Sequence, residues 1–261
     1  MTRLISALVL LPAVLAIIWF LPPLGTMMLL GVVGALAFVE YANLARQGSE
    51  GFPLVVSGMA TLATFVAVAA RIPLLMVLAP AVFVAAAAVI ARNRPAEDVL
   101  RLASVTLFPV LYLALPLGLA AVLRADRGPF GILIPFLVIV VSDSAQYYGG
   151  RAFGRHKLAP VISPKKTVEG AVTGLLAAAI VTPPLARLVS PEAPLLPLTV
   201  LGLLLAAIGI LGDLFESLLK RSTGVKDSSH LIPGHGGMLD RIDALLFACP
   251  AYYVFLRLAG V

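Results

Sequence analysis

Asp213, Glu216, Ser217 and Lys220 stand at i, i+3, i+4 and i+7, so on a helix they share one face. Leu214, Phe215, Leu218 and Leu219 cover the rest of that helix, leaving a charged stripe on an otherwise apolar element. Asp143, Gln146 and Tyr147 repeat the i, i+3, i+4 spacing, and Asp240 and Asp243 share a helical face in the same way. Carboxylates at membrane depth are expensive unless paired, and they mark functional positions by default. Clustered aspartates without His or Cys partners suit a hard cation such as Mg²⁺, which commonly arrives with phosphate ligands. Lys220, Arg221, Lys226 and Arg241 lie close by in the chain and suit phosphate oxygens. Gly234-His235-Gly236-Gly237 lets the backbone approach a ligand closely and offer its N–H groups.

Each feature also has a plainer reading. Asp213 could be paired with Lys220 or Arg221 as helix-end packing, and Asp240 or Asp243 could be a first-turn acid that favours the helix dipole. Glu40 reads as a snorkelling or packing residue, and Ser163-Pro164-Lys165-Lys166-Thr167 as a helix N-cap with proline at N1. There is no Walker loop, no GxSxG elbow and no Cys/His zinc spacing, and His156, His230 and His235 are too scattered for a metal triad. Acids and bases gathered on several helices point to Mg²⁺-dependent phosphate chemistry at a membrane surface.

The elements that must position these residues are membrane spans. The chain has 261 residues, 61% of them hydrophobic and 12% charged, with a mean hydropathy of +1.05. Apolar runs of spanning length recur from end to end without period-two alternation, so the expected fold is all-α and polytopic, not a β-barrel. Hydropathy gives about nine spans, roughly 4–21, 24–45, 54–70, 73–91, 102–123, 130–149, 168–188, 196–219 and 243–259. Arg71-Ile72-Pro73 divides the third from the fourth. With the N-terminus inside, fourteen of the nineteen Lys and Arg fall in cytoplasmic segments, which also hold the hydrophilic loops of about 150–167 and 220–242. The same rule accounts for the net charge of +6 without invoking nucleic acid. Residues 1–21 open like a signal peptide but lack a small-residue cleavage site, so a retained first span is expected. The single cysteine, Cys249, lies in an apolar run. Gly170-x-x-x-Gly174 suits close helix packing. The expected organisation is one membrane-embedded domain, with about 1–125 as scaffold or dimer region and about 126–261 as the catalytic half.

Ser217-Leu218-Leu219-Lys220-Arg221, then Lys226-Asp227, then Pro233 through Asp243 resembles the signature of the phosphatidate cytidylyltransferases, without departure over positions 217–243. Ser142-Asp143 to Gly150-Arg151 and Ser163 to Gly170 are similar to that family too, whereas the N-terminal half agrees only in hydropathy. The resemblance implies that CTP and phosphatidate are condensed to CDP-diacylglycerol and pyrophosphate with Mg²⁺, a second cation staying open. It implies Asp213 and Asp240 as direct metal ligands. Lys220, Arg221, Asp227, His235, Arg241 and Asp243 are expected to serve catalysis. Asp143, Ser163, Lys165, Lys166, Ser217, Lys226, Gly236 and Gly237 are expected to contact substrate. A homodimer in the cytoplasmic membrane, with its active site on the cytoplasmic side, is also implied. A transferase for another lipid phosphate would share the nucleotide site. A transporter is the contrasting class, but it would favour inverted repeats and midplane charges, and neither is visible.

Overall fold

The computed structural model describes residues 12–93, 96–226, 228–229 and 236–259. It is overwhelmingly helical, and among the described residues seven helical runs, one of them the unbroken stretch Asp98–Arg127, are long and apolar enough to cross a membrane, so the chain is an all-α integral membrane protein. An eighth apolar helix, Leu54–Ala69, has 16 residues and falls short of spanning length. Residues 12–20 are helical; residues 4–11 of the proposed first span lie outside the described residues, as do Asp227, His230 and His235.

The chain forms two compact units. The first contains the residues up to Asp126 together with Ser222–Arg241, and the second contains Arg127–Arg221 and the residues from Ile242 onward. The glycine-rich signature segment is thus grouped with the N-terminal helices.

In the first unit the helices are α1 (Pro23–Gly48), α2 (Leu54–Ala69), α3 (Leu74–Ala91), α4 (Ala96–Pro109) and α5 (Leu115–Arg127), the last two joined by a π-turn at Val110–Ala114. Prolines shape this join. Pro109 has no N–H, which leaves the Val105 carbonyl without its helical donor. The Tyr41 hydroxyl on α1 donates to that carbonyl at 2.7 Å, and Ser57 Oγ on α2 donates to Thr106 O at 2.8 Å. Buried Arg124 reaches back to the end of the first described helix, donating to Ile18 O at 3.1 Å and Leu21 O at 2.9 Å. Carbonyls at a helix C-terminus have no intrahelical partner, so this cation satisfies both charge and geometry. Arg71, in the left-handed region at φ 61°, makes the turn between α2 and α3.

The second unit holds α6 (Phe130–Phe153), a hairpin of β1 (Lys157–Ala159) and β2 (Ser163–Thr167), α7 (Val168–Arg187) and α8 (Leu195–Ser222). The last helix, α9 (Leu239–Ala259), begins in the first unit and continues in the second. Within this helical fold, the reading of Ser163-Pro164-Lys165-Lys166-Thr167 as a helix N-cap with proline at N1 is corrected, because the segment is one strand of a short antiparallel hairpin. The helix cap is Thr167, whose Oγ1 accepts from Gly170 N at 3.1 Å.

Small residues let α6 and α7 touch, as the Gly170-x-x-x-Gly174 spacing predicts. A Cβ on Gly170 would stand 2.7 Å from Gln146 O, and one on Gly174 would stand 3.0 Å from Ser142 O. Thr173 Oγ1 then donates to Ala145 O on the facing helix at 3.0 Å. Large side chains such as Leu75, Phe83, Ile180 and Leu196 point outward, as lipid-facing positions do.

Candidate active site

Four charged side chains of the second unit form one electrostatic neighbourhood. Asp143 comes from α6, Lys166 from β2, Asp213 from α8 and Asp243 from α9. Lys166 Nζ is ion-paired with Asp213 Oδ2. Asp143 feels the charges of both Lys166 and Asp213, and Asp243 feels those of Asp213, Asp143 and Lys166. Gln146, one turn along α6, donates to Asp143 Oδ1 at 2.9 Å. Asp243 Oδ1 accepts from Ala244 N at 2.8 Å.

The hairpin is what delivers Lys166. Glu169 in the first turn of α7 accepts from Arg155 N at 3.0 Å and from His156 N at 3.2 Å, and its Oε1 lies 2.6 Å from His156 Nδ1. Val168 N donates to His156 O at 2.9 Å, closing the base of the hairpin. Alternation along β2 then puts neighbouring lysines on opposite faces. Lys166 turns to Asp213 while Lys165 is exposed. The sequence treats the two alike, whereas the strand separates them. Ser163, at the start of the strand, is half-buried.

The stripe on α8 also divides. Glu216 is 1% exposed and bonds Lys220 at 2.6 Å one turn on, while Asp213 is ion-paired with Lys166. The sequence places Glu216 on the charged stripe without assigning it a role, and its i, i+4 relation to Lys220 is the signal that identifies the pair. Ser217 is half-exposed, and Arg221, Lys226 and Arg241 are exposed.

A separate acidic cluster lies in the first unit, around the start of α9. Glu40 of α1 is 2% exposed, and each of its oxygens has two donors. Oε1 accepts from Ser229 Oγ at 2.5 Å and Met238 N at 2.8 Å; Oε2 accepts from Ser228 Oγ at 2.9 Å and Leu239 N at 2.8 Å. Asp240 Oδ2 accepts from Gly237 N at 2.9 Å and lies 2.8 Å from Ser228 Oγ. Gly236 has φ +80°, the left-handed region that favours glycine, and a Cβ on Gly237 would collide with Ser228 and Glu40. Both glycines are therefore required by this packing. Of the two readings of Glu40, snorkelling or packing, the first is corrected: the side chain is buried with both oxygens hydrogen-bonded, and its partners lie too far along the chain for local spacing to reveal them.

Asp143, Asp213 and Asp243 offer only hard oxygen donors, which fits Mg²⁺ and not a soft metal. Among the described residues no three His, Cys, Asp or Glu side chains are close enough to form a ready-made cage. Mg²⁺ commonly takes one or two carboxylates from a protein and keeps waters and substrate phosphates as its other ligands. Lys166 is the cation already placed against Asp213.

Over 131 residues, half of each chain, the sequence is 45% identical to a phosphatidate cytidylyltransferase of Staphylococcus saprophyticus. It is 43% identical over 133 residues to a phosphatidate cytidylyltransferase of Haemophilus influenzae, covering 49% of this chain and 46% of that one. It is 46% identical over 134 residues to the chloroplastic phosphatidate cytidylyltransferase 5 of Arabidopsis thaliana, covering 51% of this chain and 33% of that one. The chain thus spans about half, or less, of the length of the curated relatives it matches. The model of the cytidylyltransferase family matches residues 1–259, nearly the whole sequence, and the chain belongs to that family.

Proposed function

We propose that this protein transfers the cytidylyl group of CTP to phosphatidate, releasing pyrophosphate and leaving CDP-diacylglycerol in the membrane. The observation that carries the reading is the meeting of Asp143, Lys166, Asp213 and Asp243 from four elements of one unit. The names of the relatives support the choice of nucleotide and lipid.

The chemistry asks little of a base. The nucleophile is a lipid phosphate whose second pKa is about 6, so it is largely ionised near neutral pH. One of its oxygens bonds to the α-phosphorus of CTP while the bond to the departing pyrophosphate breaks, in line. What the protein must supply is positioning and charge neutralisation. Lys165, Lys166, Arg221, Lys226 and Arg241 supply cations, together with Lys220, whose ammonium has three donors and is held beside Glu216. Asp213, with Asp143 and Asp243 beside it, is proposed as a Mg²⁺ ligand, and Asp240 as a metal ligand too. Bound Mg²⁺ would neutralise triphosphate charge and stabilise the leaving pyrophosphate. Ser163, Ser217, Gly236 and Gly237 are proposed to contact substrate, and Asp227 and His235 to assist the transfer. The finer topology belongs to the same reading: nine spans, N-terminus inside, both polar loops at the cytoplasmic face of the cell membrane, and a homodimer.

The test is pyrophosphate release from the purified protein with Mg²⁺, each of the four nucleoside triphosphates in turn, and a panel of lipid phosphates. Release confined to CTP and dependent on phosphatidate supports the proposal. Release with a polyprenyl phosphate instead would move the substrate to another lipid. Absence of lipid-dependent release from folded protein would reject the reading.

A further inference from the structure

We propose that Glu40 is a positioning residue, whose carboxylate fixes the first turn of α9 and, through Ser228, the carboxylate of Asp240. The inference rests on the reading that Asp240 serves the transfer reaction. Glu40 lies on α1, almost two hundred residues from its partners, at 2% exposure. An isolated carboxylate at that depth would be costly, and three donors offset the cost, joined by the Ser228 hydroxyl whenever it is not turned to Asp240. Two are the Met238 and Leu239 amides, which open α9 and would otherwise lack helical acceptors. A negative charge also suits the positive end of a helix dipole. Glu40 therefore caps a helix that belongs to a different part of the chain.

The link to Asp240 is the Ser228 hydroxyl, 2.9 Å from Glu40 Oε2 and 2.8 Å from Asp240 Oδ2. A hydroxyl carries one hydrogen, so Ser228 donates to one carboxylate at a time. Ser228 N, at 3.3 Å, and Gly237 N, at 2.9 Å, hold Asp240 Oδ2 from the backbone, and the Gly237 backbone is itself pressed against Glu40. The same few atoms thus set the helix start, the glycine turn and the orientation of Asp240. Two of the Glu40 donors come from the turn that carries Asp240 and two from the segment that reaches it, so Glu40 ties both to α1.

The experiment compares wild type with Glu40→Gln, Glu40→Asp and Ser228→Ala, as full-length protein in detergent, by amide hydrogen exchange and by pyrophosphate release against Mg²⁺ and lipid concentration. Glutamine keeps the volume of Glu40 but presents N–H groups where two donors already point. We expect roughly tenfold faster exchange in peptides covering 236–241 of Glu40→Gln, with α7 peptides unchanged. The half-saturating Mg²⁺ concentration should rise about tenfold while the KM for phosphatidate moves less than twofold. Ser228→Ala should leave the 238–239 amides protected yet raise the Mg²⁺ requirement, and Glu40→Asp should recover part of both. Unchanged exchange at 236–241 in Glu40→Gln overturns the anchoring. Faster exchange with an unaltered Mg²⁺ response overturns the positioning role and leaves a helix cap. If wild type itself releases no pyrophosphate, the proposed function fails and the link to catalysis fails with it, whereas exchange still decides the anchoring. Should Glu40→Gln not fold, Ser228→Ala decides the positioning alone, and an unchanged Mg²⁺ response there overturns it.

Discussion

Lys220→Met separates a structural cation from a phosphate-binding one. Glu216 is 1% exposed, and the Lys220 ammonium lies 2.6 Å from its Oε2. At an effective dielectric near 20, unit charges at that separation attract by about 6 kcal/mol. Removing two ions from water costs several kcal/mol each, so the pair stands near break-even against an apolar pair of similar volume. A carboxylate that loses its ammonium does not. Lys220→Met should therefore destabilise the protein by about 3–5 kcal/mol, lowering the unfolding midpoint by on the order of 10 °C. Glu216→Leu/Lys220→Met removes both charges and should restore most of that loss. Heating purified protein in detergent and following the monodisperse fraction by size exclusion reads both effects. If the single and double variants melt together, or neither departs from wild type, the electrostatic reasoning is wrong. If the double variant also retains pyrophosphate release, Lys220 is not a phosphate ligand.

Lys166→Gln removes the cation paired with Asp213 from a partly exposed position. It should fold normally while kcat falls by about 10²-fold, and steady-state rates at saturating CTP and lipid check this. Gly170→Ala would push a Cβ to 2.7 Å from the Gln146 backbone oxygen, which cannot move cheaply. It should cost about 1–3 kcal/mol, visible in the same heating assay, and an unchanged midpoint would mean that α6 and α7 are less closely held. Val161, in the turn of the hairpin, is 91% exposed. In a Cys249→Ala background, Val161→Cys should react with a membrane-impermeant maleimide in inside-out vesicles only, and labelling of right-side-out vesicles would reverse the topology.

Hydropathy carried much of the fold because a bilayer imposes length and apolarity on each crossing. The apolar run at 168–188 became Val168–Arg187, and the break at Arg71-Ile72-Pro73 became the turn before Leu74. Helix ends were harder. Phe130–Phe153 and Leu195–Ser222 run several residues beyond their apolar windows, since backbone hydrogen bonds continue where side chains become polar. The hairpin was illegible because Ser163–Thr167 has no alternating apolar pattern, and its base is tied by Glu169 from the next helix. Helical spacing correctly placed Asp213 on a charged stripe, but its partner came from a strand. The partners of Glu40 are hidden for the same reason: local periodicity carries no information about a contact with Leu239.

The most direct test of the central claim follows the transferred group itself. Purified protein is given CTP labelled at the α-phosphate, with phosphatidate and Mg²⁺, and label is counted in the organic phase after extraction. We predict that label enters lipid with both substrates present, stays aqueous when phosphatidate is omitted, and stays aqueous in Asp213→Asn. Label remaining aqueous with active, folded wild-type protein and both substrates would contradict the account, as would full transfer by Asp213→Asn.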